Sequence, residues 1–255
     1  MSQRNGPTEQ PQEVTLHVFR HDPGLGPEWR FDSFRVPIAP HMSVLEALFY
    51  VRDHLDPTLT FRYACRGAVC GSCAMTVNGR CDLACRVQVL SLPDREATVE
   101  PLPNLEIQRD LAVDLEPFWK AYEAVQPWLQ PAEEPPERER LVSEAERGRV
   151  DEYVNCILCA CCYGACPIPR REGRYLGPAA LAKAYRFLVD ARDARPVAVL
   201  RELDRPEGVW GCDMVHECIR ACPKAVRPSY AIAGLRRRLV GHRLRSLVGA
   251  KRREA

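Results

Sequence analysis

The sequence predicts an α+β protein of two domains, because strand patterns dominate its first hundred residues and helical periodicity dominates the rest. The chain has 255 residues, and at roughly 150 residues per domain this length suggests one or two domains. It is 46% hydrophobic and 27% charged, which is typical of packed globular cores. The predicted boundaries are 1–125 for the first domain, 126–142 for a linker and 143–255 for the second domain.

Charge and hydropathy argue against two classes of protein. The formal net charge is +2, from 36 Lys and Arg against 34 Asp and Glu, so nucleic acid is not an expected partner. There is no run of about 18 apolar residues, which a membrane helix needs, and the opening MSQRNGPTEQPQE does not resemble a signal or transit peptide. The chain is therefore expected to stay in the cytosol.

The first domain begins with alternating apolar and polar residues over 13–38, interrupted by Asp22-Pro23-Gly24, a pattern that predicts a β-hairpin. Ser43-x-x-Glu46 is a capping-box pattern and begins a predicted helix over 43–54. Short strands are predicted at 75–77, before the turn Asn78-Gly79, and at 87–90 and 97–102.

The linker is predicted where 126–140 carries four prolines and six charges. Ser143-x-x-Glu146 then begins another helix, and apolar periodicity predicts helices after Gly177-Pro178 and over 232–239. No period of about 20 to 50 residues repeats, which excludes a solenoid.

Thirteen cysteines lie in three groups, within 65–85, 156–166 and 212–222. A reducing cytosol keeps most thiols free, and clustered thiols are typical of metal sites. The first group, Cys65-x4-Cys70-x2-Cys73 followed by Cys85, has the plant-type ferredoxin order and predicts a [2Fe-2S] cluster. Small residues between these cysteines let backbone N–H groups approach the sulfurs. A structural zinc site is the alternative, and Cys81 is interpreted as a small buried residue.

The second group, Cys156-x2-Cys159-x2-Cys162-x3-Cys166-Pro167, matches the bacterial ferredoxin pattern, in which the fourth cysteine binds the other cluster. The third group fits the same template, with Val215 in the second ligand position. Crosswise ligation then assigns a [4Fe-4S] cluster to Cys156, Cys159, Cys162 and Cys222. It leaves Cys166, Cys212 and Cys218, which predict a [3Fe-4S] cluster. Cys161 breaks the spacing and is interpreted as a core residue.

Three clusters without a substrate motif predict an electron relay between partner proteins. There is no G-x-G-x-x-G, P-loop, H-E-x-x-H or G-x-S-x-G motif. The six histidines are scattered, and only His216 lies among the cysteines. A cluster-based sensor is a different class of function, but it would need a recognition element that the linker and helices do not offer.

Five segments carry a family resemblance: FRYACRGAVCGSCAMTVNGR, PLPNLEIQRDLAVD, CILCACC, GPAALAKAYRFLVDARD and CIRACPKAV. They resemble the iron–sulfur subunit of succinate dehydrogenase and fumarate reductase, respiratory complex II. The resemblance implies a β-grasp [2Fe-2S] domain followed by an α-helical dicluster domain. Electrons would pass from a flavoprotein subunit with FAD through the three clusters to a membrane quinone, or in reverse. Membrane-anchor subunits would hold the chain peripherally at the cytoplasmic face of the inner membrane. A thiol-dependent fumarate reductase is the alternative complex.

The resemblance also places Pro167 and Val215 near the quinone. Where ubiquinone-reducing relatives have a Trp pair and a His, this sequence has Arg170-Arg171 and Asp213. This difference favours a menaquinone-type or fumarate-reductase-like enzyme.

The C-terminal sequence LRRRLVGHRLRSLVGAKRREA carries eight Lys or Arg against one Glu. It predicts either a contact with lipid headgroups or the anchor subunit, or a solvated helix end. Lys224, Arg62 and Arg66 are interpreted either as offsetting cluster charge or as surface residues.

Overall fold

The computed structural model describes residues 12–131, 134, 136–168, 175–194 and 201–251, with side chains described to 244. Contacts divide the chain into two units, Met1–Pro101 with Ile107–Val113 and Leu102–Glu106 with Asp114–Ala255. The predicted linker at 126–142 falls within the range of the second unit. That linker stays a prediction.

The first unit is built on a five-stranded sheet with the order β2-β1-β5-β3-β4. Its strands are β1 (Glu13–His21), β2 (Trp29–Pro37), β3 (Ala74–Val77), β4 (Arg80–Leu83) and β5 (Glu96–Glu100), and a second pair is β6 (Ile107–Arg109) with β7 (Ala112–Val113). β1 pairs antiparallel with β2 and parallel with β5, so the predicted hairpin is confirmed. The apolar residues of β1 alternate into the core, where Val14, Leu16 and Val18 are fully buried.

The predicted first helix is confirmed as α1 (Val44–Tyr50), which continues as a π-helical turn over Val51–Leu55. Its capping box is complete: Ser43 Oγ accepts from the Glu46 N–H, and a Glu46 carboxylate oxygen accepts from the Ser43 N–H. Two of the four N–H groups that a helix start leaves without helical partners are thereby satisfied.

The strand predicted at 87–90 is wrong. Val89–Ser91 forms a 3-10 helix, followed by a second one at Pro93–Arg95, and Gln88 makes only an isolated bridge to Ser43. The Ser91 N–H and Oγ both donate to the Gln88 carbonyl, which closes a turn where a ladder would need extended chain. The strand predicted at 97–102 is confirmed as β5.

The second unit is helical. Its helices are α2 (Glu116–Ala124), α3 (Glu144–Gly148), α4 (Asp151–Val154), α5 (Cys161–Gly164), α6 (Gly177–Leu188), α7 (Glu217–Arg220) and α8 (Pro228–Lys251), with a 3-10 turn at Val209–Gly211. The predicted helices after Ser143, after Gly177 and over 232–239 are confirmed. α6 and α8 share a buried core that includes Leu181, Ile232 and Leu235. Among the described residues, no helix is both long enough and apolar enough to cross a bilayer.

The crossing of α6 and α8 depends on Gly234. A Cβ at this position would lie 2.4 Å from the Tyr185 ring, so a larger residue would force the helices apart. The tyrosine ring occupies the space that a side chain would need.

Arg20 forms the centre of a buried ion network in the first unit. Its side chain is 6% exposed and donates to Asp110 at 3.1 Å, to Asp32 at 3.1 Å and to Asp56. Asp110 also accepts the Thr60 N–H at 2.9 Å, so the network joins β1 to two loops. Burial would raise the pKa of Asp56, but hydrogen bonds from Thr58 and Arg20 outweigh it and lower that pKa to about 2. Asp56 therefore contributes stability above its unfolded pKa of roughly 3.9 and loses it as the pH falls through about 2.

Replacing Arg20 with alanine should cost about 3–5 kcal/mol of unfolding free energy, because Asp110 would be left buried without a positive charge. Urea unfolding of the full chain, followed by circular dichroism, measures the loss. Arg30→Ala is the control, since Arg30 also binds Asp32 but is 65% exposed. Equal losses of unfolding free energy in the two variants would contradict the claim that burial makes the Arg20 network more stabilising than an exposed ion pair.

Candidate iron–sulfur sites

The first cysteine loop surrounds its sulfurs with backbone donors. Cys65 Sγ accepts N–H groups from Gly67, Val69 and Cys70 at 3.3–3.4 Å. The Ala68 N–H donates to Cys85 Sγ at 3.3 Å. Hydrogen bonds to sulfur favour the ionised thiol, which is the metal-binding form.

This arrangement of donors requires a left-handed backbone. Arg66 and Ala68 both have φ of 56°, and Gly71 has φ of 77°. Left-handed residues alternate with ordinary ones, which turns successive N–H groups toward the same side of the loop. Gly67 and Ala68, two of the small residues predicted to permit this approach, provide two of these N–H groups.

The loop thiols differ in their electrostatics. Backbone hydrogen bonds, that from Gly67 foremost, lower the pKa of Cys65 to about 6. Burial raises the pKa of Cys73 to about 12, with Cys85 and Cys70 adding repulsion. Since Ala68, inside the Cys65–Cys70 loop, donates to Cys85 Sγ and the Ala84 N–H donates to the Cys73 carbonyl, the four predicted [2Fe-2S] ligands lie close together.

The predicted [4Fe-4S] ligands also lie together. Cys156, Cys159, Cys162 and Cys222 line one recess. Burial raises the pKa of Cys162 well above its usual value, and the other three thiols raise it further. Metal binding offsets this cost, since the ligands bind as thiolates.

A second recess is lined by the three predicted [3Fe-4S] ligands, Cys166, Cys212 and Cys218. Burial raises the pKa of Cys166 to about 11, and Cys218 and Cys212 contribute. Pro167 and Val215, predicted to lie near a quinone, line the same recess, as does Asp213. Arg170 and Arg171 lie outside the described residues.

The two recesses are built from repeated loops. In the first loop Leu158 and Ala160 have φ of 56° and 63°, and α5 follows. In the second, Met214 and His216 have φ of 56° and 65°, and α7 follows. Counting from Cys156 and Cys212, Val215 occupies the position that Cys159 has in the first loop. The backbone thus repeats the template that the spacing predicted, with an aliphatic side chain in one ligand position.

The remaining cysteines differ from these sets. Cys161 is fully buried in α5, and Cys81 is 4% exposed in β4, where its sulfur lies 3.7 Å from Thr76 Oγ1. Neither lines a recess described above. Within the described part of the chain, no three Cys, His, Asp or Glu side chains converge tightly enough to hold one metal ion. Ligands of a multinuclear cluster need not converge in this way, because they are divided among several irons, one cysteine per iron in a [4Fe-4S] cluster and two per iron in a [2Fe-2S] cluster.

The charged residues that lie near the cysteines in sequence either contact another side chain or line a recess. Arg66 stacks on the Phe49 ring at 4.3 Å, and Arg62 donates to Gln108 at 3.1 Å. Lys224 lines the first recess. Lys183 carries no motif that would have selected it from the sequence; burial lowers its pKa, while the neighbouring Cys156 opposes that shift.

Three further residues that support the second recess were missed. Asn104 Nδ2 donates to the carbonyls of Tyr163, Gly164 and Cys166 at 2.7–3.1 Å. Arg236 donates to the Cys212 carbonyl at 2.5 Å. Tyr175 lines the recess, and its buried Oη forms no hydrogen bond of ordinary geometry among the described residues, with the Cys212 side chain as its neighbour. A bound sulfur cluster would supply the missing acceptor, so these residues fit the predicted group.

Comparison with known proteins identifies the family. A family profile described as a 2Fe-2S iron-sulfur cluster binding domain matches residues 15–120, and one described as a 4Fe-4S dicluster domain matches residues 152–226. The fumarate reductase iron-sulfur subunit of Mycobacterium tuberculosis is 36% identical over 237 residues, covering 92% of this chain and 96% of that protein. The chain belongs to the succinate dehydrogenase and fumarate reductase iron–sulfur subunit family.

A second relative agrees with this family, and a solved structure agrees with the fold. The succinate dehydrogenase iron-sulfur subunit of Paracoccus denitrificans is 36% identical over 227 residues, 88% of this chain and 87% of that protein. A chain of the Mycobacterium smegmatis Sdh1 complex in the apo form superposes with a TM-score of 0.82 at 21% identity, covering 91% of this chain and 98% of that one. The predicted order of a β-grasp [2Fe-2S] domain and an α-helical dicluster domain is confirmed.

Ala68 provides a test of the left-handed loop. Ala68→Val should lower the iron and sulfide bound per chain, because a β-branched residue strains a φ of 56° that presents the N–H to Cys85. Ala68→Gly should bind as much as wild type, since glycine adopts this conformation freely. Iron and acid-labile sulfide in anaerobically isolated full chain give the measurement. A valine variant with full [2Fe-2S] content would contradict the prediction.

Proposed function

We propose that this chain relays electrons from a flavoprotein subunit carrying FAD to a membrane quinone, or in the reverse direction for fumarate reduction. The observation that carries the proposal is the convergence of eleven cysteines into three separate sets. Bound iron–sulfur clusters supply one-electron transfer, which thiols and amides alone do not. The chain's own residues hold those clusters and surround them with hydrogen-bond donors.

The proposed ligands are those given by the spacing. Cys65, Cys70, Cys73 and Cys85 hold [2Fe-2S], while Cys156, Cys159, Cys162 and Cys222 hold [4Fe-4S]. The third set, Cys166, Cys212 and Cys218, holds [3Fe-4S], because Val215 offers no ligand atom for a fourth iron. The repeated backbone conformation of the two loops supports this last assignment.

The partners belong to the same proposal. A flavoprotein subunit carries out the succinate and fumarate chemistry, and membrane-anchor subunits hold the chain peripherally at the cytoplasmic face of the inner membrane. The relatives named as fumarate reductase and succinate dehydrogenase subunits are equally identical to this chain, at 36%. Overall identity therefore does not favour one direction of turnover.

The quinone is proposed to bind beside the second recess, near Pro167 and Val215. Val215 is 50% exposed and offers an apolar contact at its rim. Asp213, on the same recess, is the residue that favours a menaquinone-type site over a ubiquinone-type one. Faster turnover with ubiquinone analogues than with naphthoquinones would contradict this part of the proposal.

Anaerobic isolation of the native complex tests the function. We expect a flavin-containing subunit to co-purify, about nine irons per chain of this subunit, and reduction of its clusters by succinate. Iron and zinc analysis, visible spectroscopy and EPR give the readouts. Zinc in place of iron, or a chain isolated without any flavoprotein, would overturn the proposed relay.

Val215→Cys tests the assignment of the third set. A thiol at the position equivalent to Cys159 should admit a fourth iron, so iron content should rise by about one per chain. The [3Fe-4S] EPR signal of air-oxidised protein, near a g value of about 2, should disappear. Val215→Ser is the control, because an alcohol is a much poorer ligand for iron than a thiolate. Persistence of the signal in the cysteine variant would contradict the assignment.

A further inference from the structure

Tyr175 presents a buried hydroxyl to the second recess. Its side chain lies on the recess wall with Cys166, Cys212 and Cys218, and the residue is 7% exposed. Its Oη is buried and forms no hydrogen bond of ordinary geometry within the described residues, although the Cys212 side chain lies near enough to interact with it. Buried hydroxyls are almost always hydrogen-bonded, so an orphaned one facing a ligand site indicates a partner that the site itself supplies.

The ring is fixed in this position by glycine. A Cβ at Gly211 would lie 2.9 Å from Tyr175 Cδ2, so the ring lies directly against the backbone that leads into Cys212. The next residue, Leu176, donates its N–H to the Glu207 carbonyl at 2.9 Å. The packing of the ring against Gly211 and the Leu176 hydrogen bond leave the hydroxyl little freedom to turn toward another acceptor.

The other polar side chains of the recess have partners or are acceptors. Ser229 hydrogen-bonds Cys218 through its backbone and its side chain, and its Oγ also lies 2.8 Å from His216 Nδ1. Asp213 and Glu217 are acids that accept hydrogen bonds when ionised. Among the described residues of this wall, Tyr175 is thus the hydroxyl that lacks a well-formed hydrogen bond.

We propose that the Tyr175 hydroxyl donates a hydrogen bond to a sulfur of the cluster held by Cys166, Cys212 and Cys218, with the Cys212 sulfur favoured because the Tyr175 ring packs against the adjoining Gly211. This inference rests on the proposed function. Reduction adds one electron to the centre and makes its sulfurs stronger acceptors, while the phenolic proton stays on Oη. The donor therefore stabilises the reduced state and raises the reduction potential.

Tyr175→Phe in the native complex tests the proposal, with the [3Fe-4S] midpoint potential measured by EPR-monitored redox titration. We expect the equilibrium to shift about three- to tenfold toward the oxidised state, which is a fall of about 28–59 mV for one electron. The [4Fe-4S] and [2Fe-2S] potentials should not change. Tyr185→Phe is the matched control, because that ring packs against Gly234 and does not line the recess.

A second measurement does not depend on a variant. Electron–nuclear double resonance of the oxidised wild-type centre, in H₂O and ²H₂O, should detect an exchangeable proton coupled to the cluster, and Tyr175→Phe should lose it. An unchanged potential in a variant with full iron content, or no such proton in wild type, would overturn the inference while leaving the relay intact. Absence of the [3Fe-4S] signal from wild type would overturn the assignment of the third cluster as well.

Discussion

Donation of backbone N–H groups to cysteine sulfur is the interaction on which both units depend. Thiolate-bound clusters carry negative charge, and burying that charge requires nearby donors. The chain supplies them by a recurring local geometry, in which the first cysteine of each group accepts the N–H two residues later, from Gly67, Leu158 and Met214. A left-handed conformation costs a non-glycine residue roughly 1–2 kcal/mol. Such residues are retained beside the cysteines because the N–H groups that they orient stabilise the sulfurs once iron is bound.

The same constraint explains why the second unit contains one loop twice. Each loop provides a left-handed pair, a short helix and then a cysteine that reaches the recess of the other loop, Cys166 in one case and Cys222 in the other. Neither recess is complete without both loops, so their formation is coupled. A change at one ligand position, such as valine for cysteine at 215, alters the centre without altering the backbone that frames it.

Much of the fold and of the cysteine sites could be predicted from short sequence motifs. Both capping boxes, at Ser43 and Ser143, form as their sequences indicate. The three cysteine sets follow from spacing, since ligand geometry is fixed by how far a short loop reaches. The strand predicted at 87–90 does not form, because hydrogen bonds within a turn outweigh its strand propensity. Asn104 and Tyr175 carry no sequence signal, because their partners are backbone carbonyls or a cluster sulfur rather than residues at a fixed spacing.

All eleven proposed ligands are cysteines, so differences among the three centres must come from cluster type, exposure and nearby donors or charges. The first loop is exposed at Cys65 and Cys70, and its donors are backbone amides. The first recess adds the half-buried Lys183 ammonium beside Cys156. In the second recess, side-chain donors take a larger share, because Ser229 donates to Cys218 and the Tyr175 hydroxyl faces the same space. Both positive charge and hydrogen-bond donors favour the reduced state. Residues that bind no iron can therefore give the three centres different reduction potentials, while the ligands themselves stay the same.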